Sequence, residues 1–290
     1  MHLAVGACAF TQYLLTRQYT AVTFYFALEG VPFFMLMTGV ECSLAFRCAL
    51  LFERDEPMRL AWLMIAMASL ARFAGTTLRS MATLHFFVPG LGWLDAHPIG
   101  PFHGLDQIGL IVGSPLSMVL LAIGLGRVLG IQHRLRVIGS LTRGDQALLA
   151  IIGAFTISQI GVILPLFWQH PALGTMLMWP SDPLLSLLLI QAVLIRRTVV
   201  RMGGGLVAQC WSMYVVGIVL TSVGDAGIWA ISHSYLPDPL VVLSWYLWFV
   251  PAAAFASAPA LQLSAMALAH QSAPMPFEQA DYPAIANLTE

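Results

Sequence analysis

The 290-residue chain is 59% hydrophobic and only 9% charged, with a formal net charge of −1. A soluble domain carries roughly 25% charged residues, so a soluble fold is excluded and an all-α polytopic membrane bundle is expected; the near-neutral balance leaves no electrostatic footprint for nucleic acid. All thirteen basic residues are Arg, which removes the P-loop and Schiff-base chemistry, a retinal-bearing seven-helix protein included, because each needs a Lys.

Residues 1–20 end in Thr-Arg-Gln-Tyr-Thr. This stretch is too short for a hydrocarbon core of ~30 Å and reads as an interfacial segment. A seven-span membrane domain follows at 21–268, with spans at about 23–51, 60–80, 105–127, 146–167, 182–196 (a little short), 206–231 and 239–265. Residues 269–290, punctuated by Pro274, Pro276 and Pro283, read as an extended tail. Pro115, Pro165, Pro251 and Pro259 lie within or at the ends of spans, where proline kinks a helix and frees carbonyls. Cys8, Cys42, Cys48 and Cys210 include no CxxC pair and read as small apolar packers.

Arginine sets the expected sidedness. Arg47, Arg54 and Arg59 flank the first turn; Arg127, Arg134, Arg136 and Arg143 the third; Arg196, Arg197 and Arg201 the fifth. The alternate loops, 81–104, 168–181 and 232–238, hold none. The positive-inside rule then puts the N-terminus outside and the C-terminus in the cytoplasm of a bacterial inner membrane. Trp93, Trp168, Trp179, Trp229 and Tyr235 read as the outer aromatic belt, and Trp62 and Trp211 as the inner one.

Charges inside spans are costly and are usually paired or functional. Glu29 and Glu41 lie in the first span, Arg72 and Arg79 in the second. Counted back from the shared turn at ~1.5 Å per residue, Arg72 falls near Glu41 and Arg79 near Glu29. A two-rung ion ladder is expected, serving either to fix the hairpin's register or as a ligand or proton site. The outer loops carry His85, His97, His103, His170 and His233, with Asp95, Asp106, Asp182, Asp225 and Asp238 on the same side. Imidazoles and carboxylates together suit a divalent metal or a pH switch, so His97, His103, Asp106, Asp182 and Asp225 form the candidate outer-face ligand or metal site. No cofactor is specified. Spans with these bounds hold no His, as bis-His haem ligation between helices needs, and no paired carboxylates or Ser-His-Asp set points to an enzyme.

The segment 43–75, SLAFRCALLFERDEPMRLAWLMIAMASLARFAG, and the segment 221–248, TSVGDAGIWAISHSYLPDPLVVLSWYLW, resemble the first and last hairpins of the seven- or eight-span membrane sensor modules of bacteria. Those modules sit ahead of diguanylate cyclase or histidine kinase domains. The resemblance covers most of 20–268 and carries over no ligand residues. It implies a non-enzymatic, sensor-like ligand-binding or signalling module. No output domain follows the last span, so the signal is expected to leave through a membrane-protein partner or a second copy. The alternatives are an accessory subunit of a larger membrane complex and, third, a small transporter.

Overall fold

The computed structural model describes residues 31–84, 108–169, 181–232 and 241–272, with scattered positions between 8 and 16. The described chain is all α, seven helices and no strand. They are α1 (Val31–Leu51), α2 (Pro57–Leu84), α3 (Ile108–Arg134, with a π-helical turn at Val112–Leu116), α4 (Arg143–Gln169), α5 (Ser181–Met202), α6 (Gly205–Ser232) and α7 (Val241–Ser272). All but α4 contain a stretch long and apolar enough to cross a membrane among the described residues, as a polytopic membrane protein requires.

Several helices run past their expected ends, α2 among them, which reaches Leu84 rather than 80. α3 reaches Arg134 rather than 127, α7 reaches Ser272 rather than 265, and α5 spans 22 residues rather than stopping at 196. For α3 and α5 the expectation treats arginine as a loop residue. Its long aliphatic stem instead lets a helix continue while the guanidinium reaches water. The added length of α7, residues 266–272, holds no arginine. What stops α5 is the run Gly203, Gly204 and Gly205, with φ of 72°, 124° and 85°, a left-handed path that other residues resist.

Packing closes six helices into a ring. In order around it stand α1, α2, α3, α5, α6 and α7, and α7 returns to α1. α4 lies outside and packs on α5. The closest approach is between α2 and α3, where a Cβ on Gly75 would fall 2.3 Å from the Gly113 Cα. Gly113 belongs to the π-helical turn around Pro115. Ser117 Oγ donates to the carbonyls of Gly113 and Ser114 at 2.8 and 2.9 Å, so carbonyls loosened by the wide turn stay paired. Farther along, Gly124 of α3 meets Ile65 and Ala61 of α2, which makes that pair antiparallel. Gln191 Nε2 of α5 donates to the Ala122 carbonyl of α3 at 2.8 Å, and Cys48 Sγ of α1 donates to the Pro259 carbonyl of α7 at 3.4 Å. Traced through these contacts, the three arginine-bearing turns and the C-terminal end of α7 all come to one end of the bundle.

The ring's centre is filled by aromatic side chains. Trp62 of α2, Trp211 and Tyr214 of α6, and Phe255 of α7 stack with ring centroids 5.6–6.2 Å apart. Trp62 and Trp211 are fully buried, so they are core residues and not the interfacial belt the sequence reading assigns them. They do sit near the arginine-bearing end; what the pattern misses is the helix face they occupy. Cys42, Cys48 and Cys210 are buried packers, whereas Cys8 is exposed.

Candidate functional site

The middle of the ring holds one buried ion pair among the described residues. α1 contributes Glu41, whose side chain is 0% exposed; α2 contributes Arg72 at 12%. Arg72 Nη2 donates to both carboxylate oxygens, at 2.9 and 3.0 Å. The Ser69 hydroxyl, one turn before Arg72, donates to the Ile65 carbonyl at 3.0 Å. On its other side the Arg72 guanidinium lies 4.5 Å from the centre of the Phe255 ring, a cation–π contact that links the pair to α7. Phe255 in turn packs on Tyr214, with ring centroids 5.8 Å apart and planes tilted by 46°. Four helices therefore meet at one charged centre.

That centre is incompletely paired. One guanidinium nitrogen serves both oxygens, and Arg72 Nε has no hydrogen-bond partner. The Tyr214 hydroxyl and Trp62 Nε1, both fully buried, have none either. Buried polar groups are nearly always satisfied; Arg72 Nε and the Tyr214 hydroxyl, on the two sides of Phe255, are not, and Trp62, Gln132, Gln191, Arg197 and Gln262 elsewhere in the bundle each carry one such atom too.

The second rung of the expected ladder lies outside the described residues: Glu29 and the Arg79 side chain are not among them. The same holds for His97, His103 and Asp106 of the candidate outer-face site and for the side chain of Asp182, whose backbone opens α5. Asp225 is half-buried on α6 and has an interaction partner. No group of three His, Cys, Asp or Glu suited to a metal occurs among the described residues. His133 and His270 fall in the last turns of α3 and α7, inside the lengthened helices, and both are exposed.

A second charged cluster, missed by the sequence reading, sits where α4 begins. Thr142 and Asp145 form a capping box: Asp145 Oδ2 accepts from the Thr142 N–H at 2.8 Å, and the Asp145 N–H donates to Thr142 Oγ1 at 3.3 Å. Arg197 of α5 pairs with Asp145 and donates to Thr142 Oγ1, and Arg201 donates to the Ile138 carbonyl. The Arg197 hydrogen bond, with those from Thr142, holds the Asp145 carboxyl down at about 2. The signal was present as Thr-Arg-Gly-Asp before an apolar run, the Thr-x-x-acid pattern that opens a helix.

An open apolar groove runs along α1, lined by Met35, Leu36, Gly39, Val40 and Ser43 with Phe73 of α2. Comparison with protein-family models, with curated proteins and with solved structures found no match.

Proposed function

We propose that this multi-pass membrane protein is a sensor-like, non-enzymatic signalling module of a bacterial inner membrane, with its N-terminus outside, acting through a membrane-protein partner. The observation that carries the reading is the Glu41–Arg72 centre, joined to α7 and α6 through Phe255 and Tyr214, with Arg72 Nε and the Tyr214 hydroxyl left over. A buried ion pair is weak support for stability, because apolar residues of similar volume usually do as well. Its better-attested use is to fix one of two arrangements. Here a second arrangement is at hand. Tyr214 packs on the Phe255 ring that carries the Arg72 contact and has an unpaired hydroxyl, so in this reading a movement of α6 or α7 brings that hydroxyl to Glu41. An event at the far ends of α6 and α7 could reach the arginine-bearing end by that exchange.

The test is purification from native membranes in mild detergent, beside a Tyr214→Phe variant, with co-purifying proteins identified. The reading expects a partner carrying a cyclase or kinase output domain, whose activity shifts in the variant. A chain that purifies as a lone monomer, or a partner indifferent to Tyr214→Phe, refutes it.

The alternative, an accessory subunit, is favoured by α4. That helix touches the ring through α5, and it exposes Ala150, Ala154 and Ser158 along one face. Small residues four apart are the usual seam for a neighbouring transmembrane helix. In that case the co-purifying protein is a large membrane complex with no signalling domain.

A further inference from the structure

We propose that the corner formed by the α3–α4 turn and the end of α5 is a binding surface for anionic phospholipid headgroups. The positive charge of the bundle is not spread evenly over its arginine-bearing end. At the α1–α2 turn Arg54 and Arg59 stand among Glu53, Asp55 and Glu56, so that turn is close to neutral. At the other corner Arg134, Arg136, Arg143, Arg196 and Arg201 are all exposed. Between 107 and 224 the acidic residues are Asp145 and Asp182. Asp145 is engaged by Arg197, and Asp182 opens α5 at its opposite end. Five guanidinium groups thus face outward without a counter-charge on their own elements.

The turn that carries them is held in place. Arg197 and Arg201 fasten residues 138–145 to α5, and Gly139 lies against the Arg197 carbonyl, where a Cβ would come within 3.1 Å. Arg136 occupies a left-handed position, φ 55°, just past the end of α3. Its N–H donates to the His133 carbonyl, and the next N–H to that of Gln132. Glycine takes this helix-ending slot at no steric cost, so the arginine there costs stability and presents a charge.

Two features select a lipid over a soluble phosphate or an acidic protein. Arg134 and Arg136 stand at the end of α3, and Arg196 and Arg201 at the end of α5, the level at which lipid phosphates stand, since both helices are long and apolar enough to cross a membrane. They also alternate with exposed apolar side chains: Leu135 between Arg134 and Arg136, and Val200 and Met202 on either side of Arg201. Guanidinium forks for phosphate, with aliphatic groups beside them for the start of an acyl chain, match an anionic phospholipid.

The experiment reconstitutes the full chain in phosphatidylcholine and measures, by electron spin resonance, the association of spin-labelled phosphatidylglycerol relative to spin-labelled phosphatidylcholine. About 1 kcal/mol per basic residue near an anionic lipid surface corresponds to roughly fivefold. The native chain should prefer phosphatidylglycerol about fivefold, less at high salt, and soluble glycerol phosphate should not compete. Arg134→Gln, Arg136→Gln and Arg143→Gln together, which spare the contacts of Arg197 and Arg201 and leave Arg196, should lower the ratio by at least half. Arg54→Gln with Arg59→Gln should leave it unchanged. A native ratio of one overturns the proposal, as does one that rises to fivefold only in Glu278→Gln with Asp281→Asn, which would make the chain's own acidic tail the occupant. Equal loss from both arginine sets, or competition by glycerol phosphate, also overturns it. None of these outcomes bears on the signalling reading.

Discussion

Glu41→Leu should destabilise the protein far more than Glu41→Leu combined with Arg72→Met. At 2.9 Å and an effective dielectric constant of about 20, the pair attracts by about 6 kcal/mol, and the Phe255 contact adds about 1–2 kcal/mol. Against this stand several kcal/mol of desolvation for each ion. The net is small, so apolar residues of similar size at both positions should be nearly neutral. Removing Glu41 alone leaves a guanidinium in a site screened by protein and lipid, at a cost of about 3–5 kcal/mol. For a chain of this size that lowers the unfolding midpoint by roughly 10 °C. The protein contains its own reporter: Cys42, Cys48 and Cys210 are buried and Cys8 is exposed, so with Cys8→Ser a thiol-reactive dye reads core opening in detergent. If the single and double variants melt together, Arg72 does not depend on Glu41, and both the ion-pair argument and the two-arrangement reading built on it fail.

Gly75→Ala sets its methyl against the Gly113 backbone at 2.3 Å, and neither atom ends a flexible side chain. α2 and α3 must part, at about 3 kcal/mol, whereas Gly153→Ala, with nothing within 4 Å, should melt no lower than the native chain; equal midpoints for the two would remove the close crossing. The Asp145 carboxyl, lowered from 3.8 to about 2 by Arg197 and Thr142, is a depressed acid, so its contribution is complete above about pH 4 and is lost as pH falls through 2. Hydrogen exchange at the Thr142 amide, corrected for intrinsic rate, should therefore keep constant protection from pH 8 to 5. Asp145→Asn should speed it at neutral pH, and a loss of protection near pH 6 in the native chain would refute the assignment.

The seven helices were legible because a bilayer demands long apolar runs, and these stand out in composition alone. The Glu41–Arg72 pair was legible for a less obvious reason. Measured from the α1–α2 turn, Arg72 is several residues farther out than Glu41. Side chains lean toward their own helix N-terminus, so Glu41 leans away from the turn and Arg72 leans back toward it. In an antiparallel hairpin the two tilts converge, and the long arginine covers the remaining gap. The closure of α7 on α1 had no such signal, because the two are far apart in the chain. Nor did the buried placing of Trp62 and Trp211. A membrane helix is apolar on its lipid face and its core face alike, so the periodicity that separates inside from outside in a soluble helix is absent.

The same blindness explains why α4 reads as a span equal to the rest when it stands outside the ring. Its apolar run looks like those of its neighbours, yet Ile151, Phe155 and Ile157 are exposed, and little besides Asp145 and Ile152 is buried. Without a hydrophobic drive between helices in lipid, a helix joins a bundle through close backbone contact or polar bonds. Gly75, Gly113 and Gly124 give the ring helices the first of these, and Gly217 makes room for the Phe255 ring, while Gly153 and Gly161 of α4 meet nothing within 4 Å. α4 has the second, a polar latch at one end, where Asp145 and Thr142 take Arg197. Over its described side chains α4 is latched at one end and exposes most of the rest, so in either functional reading α4 is the element best placed to meet a partner.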